Sequence, residues 1–108
     1  MARHDEDIDD FGRFAEPALL ILVSLAGGPK HGYAITDDIA AFAGVRFGPG
    51  SLYGAIARLE SRGFIAPLAA ADRRNPYRLT ALGGNALRAR LANMATIARV
   101  GQRRLAQV

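Results

Sequence analysis

Apolar and polar positions fall into blocks along this chain, and the spacing inside each block names a different element. Residues 1–13 are polar and acidic and have no helical period, so residues 1–14 read as a flexible arm. From Glu16-Pro17 onward the pattern changes abruptly. Leu19, Leu20, Ile21, Leu22, Val23 and Leu25 cover nearly every face of a helix, which marks it as central and buried. Proline suits the first helical position and Glu16 suits the positive end of the helix dipole. Gly27-Gly28-Pro29 ends the run. A second helix is predicted over 32–43, with Ile35, Ile39 and Phe42 as its inward stripe and Thr36, Asp37 and Asp38 facing water. After Pro49-Gly50-Ser51 a third helix runs to Arg62, with Leu52, Ile56 and Leu59 inward and Gly63 just past its end.

Beyond Gly63 the period shortens. Phe64 to Leu68 and Pro76 to Leu79 read as two short strands, joined by the turn chemistry of Asp72-Arg73-Arg74-Asn75-Pro76. Pro67 cannot donate to a ladder, so the hairpin belongs at an edge. Thr80 is then a plausible N-cap for a last helix over 81–105. On that helix Leu87, Leu91, Met94, Ala98 and Leu105 alternate in steps of four and three, with a gap at Gly101, the narrow seam of a coiled-coil contact. Three short helices, a hairpin and a long helix make a mainly α chain with a small β-hairpin. That order is a winged helix-turn-helix over residues 15–80 followed by a dimerisation helix over 81–108.

Charge sharpens this picture. Residues 1–57 carry four basic and eight acidic side chains, whereas residues 58–108 carry ten arginines against Glu60 and Asp72. A basic half points to a polyanionic partner, and arginine's planar fork suits phosphate and base edges. The longest apolar run, Ala18 to Ala26, falls well short of the roughly 20 residues that a membrane-spanning helix needs. It follows acidic residues where an export signal would carry positive charge, so a soluble, cytoplasmic protein without membrane contact is expected. With no cysteine, thiolate metal sites and cysteine nucleophiles are excluded.

The third helix carries the candidate chemistry. With its apolar stripe inward, Ser51, Tyr53, Gly54, Arg58 and Arg62 face out. A first turn of glycine and hydroxyl residues lets the helix end approach a DNA backbone, where free N–H groups bind phosphate. Gly50 and Ser51 would equally serve as a plain helix cap. Tyr53 lies one residue off the stripe, so its ring can cover the core while its hydroxyl reaches outward. Arg73 and Arg74 at the hairpin tip, with Arg78 on the returning strand, suit a wing that touches phosphate or the minor groove; a solvated charged turn is the alternative. His31 has no metal-spaced partner, Asp37-Asp38 has no neighbouring nucleophile or base, and Gly48-Pro49-Gly50 lacks the lysine of a phosphate-binding loop. Neither a cofactor nor an enzymatic activity is expected.

Taken together, these residues resemble the PadR family of bacterial regulators from about Ala18 onward. Three motifs carry the resemblance: His31-Gly32-Tyr33-Ala34-Ile35, then Gly50-Ser51-Leu52-Tyr53-Gly54-Ala55-Ile56 through Gly63-Phe64-Ile65, and Tyr77-Arg78-Leu79-Thr80-Ala81-Leu82-Gly83. Gly54 stands where the family usually has proline, and the short wing carries Asn75-Pro76. The single last helix matches the family's shorter members. The resemblance implies a homodimer in which each last helix packs on the partner's first, bringing Leu19 and Leu22 to the interface. It implies repression from a roughly palindromic operator on double-stranded DNA. It further implies DNA contacts from the start of helix two, the first turns of helix three and the wing, positions that match Tyr33, Ser51, Tyr53 and Arg73-Arg74. Lys30, His31, Gly50, Gly54, Arg58 and Arg78 beside them are further candidate contacts. Two other classes remain open: a winged-helix protein-interaction module, and a sensor whose dimer interface takes a small apolar or aromatic effector.

Overall fold

The computed structural model describes residues 17–69 and 75–108, so the acidic arm and Arg73-Arg74 lie outside the described residues. Helix α1 (Pro17–Ala26) places Ile21 and Leu25 at the centre of the core. Ser24, which interrupts the apolar run, is also buried, and its hydroxyl donates to Asp38 Oδ2 at 2.7 Å. A buried hydroxyl needs such a partner, because leaving it unpaired would cost more than the bond gains.

Helix α2 (Gly32–Ala43) packs on α1 through Ile35 and Ile39, neither with any exposed surface. Phe42, expected on the same stripe, is instead 46% exposed. The stripe therefore closes one turn early, because the chain turns at Gly44 before the core extends that far. Helix α3 (Pro49–Ser61) starts with proline in its first turn and buries Leu52, Ala55, Ile56 and Leu59. It ends in a Schellman arrangement: Gly63 N–H donates to Glu60 O at 3.0 Å and Phe64 N–H to Leu59 O at 3.0 Å. That closure needs φ +79° at Gly63, a left-handed backbone that suits glycine.

Strands β1 (Ile65–Pro67) and β2 (Tyr77–Leu79) pair antiparallel, with Ile65 opposite Leu79 and Pro67 opposite Tyr77. A further backbone pair, not evident from the sequence, joins Lys30 to Tyr77 through Lys30 N–H to Tyr77 O at 3.1 Å and Tyr77 N–H to Lys30 O at 2.9 Å. The segment before α2 thus acts as a one-residue third strand and ties the hairpin to the helices. Helix α4 (Ala81–Ala106) is capped by Thr80, whose Oγ1 accepts from Gly83 N–H at 3.0 Å while donating to Gly63 O at 2.6 Å. Only Gly83 and Leu87 of this helix are buried, so most of its length, about 39 Å at 1.5 Å per residue, stands clear of the helical core.

Candidate nucleic-acid interface

Helix α3 opens on exposed residues, Pro49 to Ser51, before Leu52 turns into the core. Gly50 and Ser51 are exposed, and helix geometry leaves their N–H groups without intrahelical acceptors. Tyr53 is 50% exposed on the same helix and Tyr33 is 73% exposed at the start of α2. The Tyr53 hydroxyl does not point straight outward as expected. It crosses to α2 and stands where a side chain on Gly32 would begin, with Cζ only 2.8 Å from that position. Gly32 is thus the residue whose missing side chain makes room for the Tyr53 phenol. Gly54 likewise leaves open space, and the Arg58 guanidinium lies 3.6 Å from where a Cβ at Gly54 would stand. Arg58 and Arg62 are exposed farther along the helix, and Arg78 is exposed on β2.

Between the starts of α2 and α3 lies an open cleft of about 220 Å³. Tyr33 and Thr36 line it from α2, Arg46 and Phe47 from the connection, and Pro49 and Tyr53 from α3. Val45 and Phe47 pack against the core, so the intervening Arg46 is turned out to solvent. Its guanidinium meets Asp37 Oδ1 at 3.0 Å, with both side chains more than half exposed. Sequence reasoning did not single out Arg46 or its pairing with Asp37. The signal was the apolar–Arg–apolar alternation of Val45-Arg46-Phe47 in the helix-turn-helix connection.

Two expected contacts point elsewhere. The Lys30 ammonium donates to Ser24 O at 2.5 Å and Gly28 O at 3.2 Å and lies 3.9 Å from Asp38. It neutralises the negative end of α1 and a half-buried carboxylate, so it is not free to reach phosphate. Asp38, expected to face water, is held by that pairing and by Ser24. His31 occupies the N-cap position of α2 without a side-chain cap bond, and its Nδ1 is buried, turned away from the exposed face. The expected interface residues also divide. Leu19, Leu22 and Leu87 are buried within the single chain, at 7%, 7% and 5% exposure, and so serve its own core. Leu91, Met94, Ala98 and Leu105 are exposed on α4, and Ile97 joins them at 70% exposure.

Three packed helices whose third bares its first turn, followed by a pinned hairpin, define a winged helix-turn-helix protein. A profile of the "Transcriptional regulator PadR-like family" matches residues 21–89, and the chain belongs to that family. Members of that family are non-enzymatic transcription regulators, and the fold supports DNA binding. Among solved structures, a PadR family regulator from Clostridium difficile R20291 superposes with a TM-score of 0.75 at 23% identity, covering 82% of this chain and 97% of that one. Another from Eggerthella lenta superposes at 0.74 with 25% identity, covering 94% of this chain and 96% of that one. An uncharacterised 37.1 kDa protein of a Streptomyces fradiae transposon is 44% identical over 85 residues, which is 79% of this chain. The chain spans only 25% of that relative's length. No helix among the described residues is long and apolar enough to cross a membrane.

Proposed function

We propose that this protein represses transcription in the cytoplasm as a homodimer bound to a roughly palindromic operator. In this reading residues 15–80 read DNA and residues 81–108 join the two copies. One observation carries it: α4 projects with Leu91, Met94, Ile97 and Leu105 at 43%, 42%, 70% and 75% exposure. Most helical stability in proteins comes from packing an apolar face, so an exposed apolar row on this helix favours a partner. A second copy supplies the complementary row, and a twofold axis would then present two α3 first turns to two oppositely directed half-sites. The motifs shared with PadR regulators support repression as the outcome. The hairpin arginines, Arg73 and Arg74, are assigned to phosphate beside each half-site.

The test is a double variant, Leu91→Asp with Ile97→Asp. Both positions are solvent-facing in the single chain, so the helical domain should still fold by circular dichroism. Light scattering should report monomers, and affinity for an operator duplex should fall at least about tenfold as the second half-site contact is lost. A variant that stays dimeric and binds DNA normally would mean that the copies meet elsewhere.

A further inference from the structure

In the cleft between the starts of α2 and α3, a charged group on the candidate DNA face is already held by a counter-ion. The other polar side-chain groups that line it are the hydroxyls of Tyr33, Thr36 and Tyr53, and the first turn of α3 beside it adds the N–H groups of Gly50 and Ser51. Among the described residues that line the cleft, Arg46 alone carries a full positive charge, and Asp37 occupies its guanidinium at 3.0 Å. A carboxylate and a phosphate present the same paired oxygen acceptors to a guanidinium fork. With side-chain exposures of 59% and 52%, water screens the pair, and it is worth no more than about fivefold in an equilibrium constant. A DNA phosphate, backed by the rest of the interface, can displace it.

Resting on the assignment of this face to DNA, we infer that Arg46 is a phosphate-binding residue that trades its resting partner Asp37 for a backbone phosphate lodged in the cleft. The aromatic and proline walls of the cleft suit the apolar face of the adjoining deoxyribose. Asp37 then acts as a brake on binding. Every duplex must displace it, so a duplex that engages only this patch is held weakly. One that also fills the α3 surface and the wing is retained. Asp37 thus lowers affinity for every duplex alike, which thins occupancy of non-specific DNA without changing the ratio between sites.

Fluorescence anisotropy tests this, using the full chain, a duplex from its own upstream region and an unrelated duplex of equal length, across a potassium chloride series. Arg46→Ala should weaken both and make the slope of log K against log salt shallower by about 0.9, the value for one phosphate on B-DNA. Arg46→Lys keeps the charge and should restore most of that slope. Asp37→Asn should tighten both duplexes by about two- to fivefold, the scale of an exposed ion pair. That gain should vanish when Arg46 is already alanine. Glu60→Gln removes the same unit of charge near the far end of α3 and should tighten binding less. An unchanged salt slope in Arg46→Ala overturns the phosphate contact, and an undiminished Asp37→Asn gain in the Arg46→Ala background overturns the exchange. Wild-type protein that binds neither duplex at low salt would instead overturn the regulatory reading itself, and this exchange with it.

Discussion

Tyr77 is the residue at which the hairpin, the helices and the electrostatics meet. Its backbone pairs with Lys30 on one side and Pro67 on the other, and its phenol titrates above the ordinary value of 10.0. Burial is the main cause, followed by the negative charge of Glu60 and by Tyr53. Between the unfolded and folded values the folded chain holds a proton that the unfolded chain has lost, so stability falls as pH rises there. The contribution is complete below pH 10.0 and is lost as the pH climbs through the raised folded value. Urea melts above that pH should show a shallower alkaline decline for Tyr77→Phe than for wild type; identical slopes would remove Tyr77 from the alkaline response. At this scale the sequence was only partly legible. Lys30 is a cation beside a motif expected to contact DNA, yet the Ser24 and Gly28 carbonyls and Asp38 capture it. Ser24 and Asp38 are fourteen positions apart, and no local spacing announces that they meet. Arg46 was missed for the complementary reason: alone between two apolar residues, it gains meaning only once α2 and α3 form a cleft.

At the scale of elements the sequence was far more legible, because glycine, proline and threonine punctuate it. Gly27-Gly28-Pro29, Gly63 and Thr80 end or begin helices within a residue or two of the places that they predict. The one-residue strand at Lys30 was not legible, since a single backbone pair leaves no side-chain alternation. Ile97 was missed because it lies off the four-three seam of α4, on the adjoining face that widens such a stripe. Gly83 shows what fastens α4 to the hairpin. A Cβ there would meet the Phe64 carbonyl oxygen, with the carbonyl carbon at 2.8 Å and Leu79 Cδ1 at 3.0 Å. Backbone cannot yield as a flexible side chain can. Gly83→Ala should therefore cost about 1–3 kcal/mol by chemical denaturation, the range for overpacking. Gly84→Ala next to it meets nothing closer than 3.8 Å and should be neutral or gain up to about 1 kcal/mol of helix propensity. Equal effects of the two variants would contradict the close approach.

For the whole molecule, the controlling feature is where charge lies relative to shape. Residues 17–108 carry twelve basic side chains against four acidic ones, while residues 1–16 carry six acidic and two basic. A basic body attracts any nucleic acid through counterion release, so attraction alone does not make a regulator. Under the proposed function, discrimination would come from the short-range surface: the small first turn of α3, the tyrosines flanking the cleft, and Arg73-Arg74. In the proposed dimer it would also come from the spacing that two joined copies impose on their half-sites. The most direct measurement is anisotropy of the wild-type protein with a duplex from its own upstream region and with an unrelated duplex, each titrated at low and moderate salt. A sequence-specific regulator keeps a preference of about a thousandfold or more for its own site as salt rises and non-specific binding fades. Equal affinity for both duplexes, disappearing together as salt is added, would contradict sequence-specific regulation and leave only a basic surface.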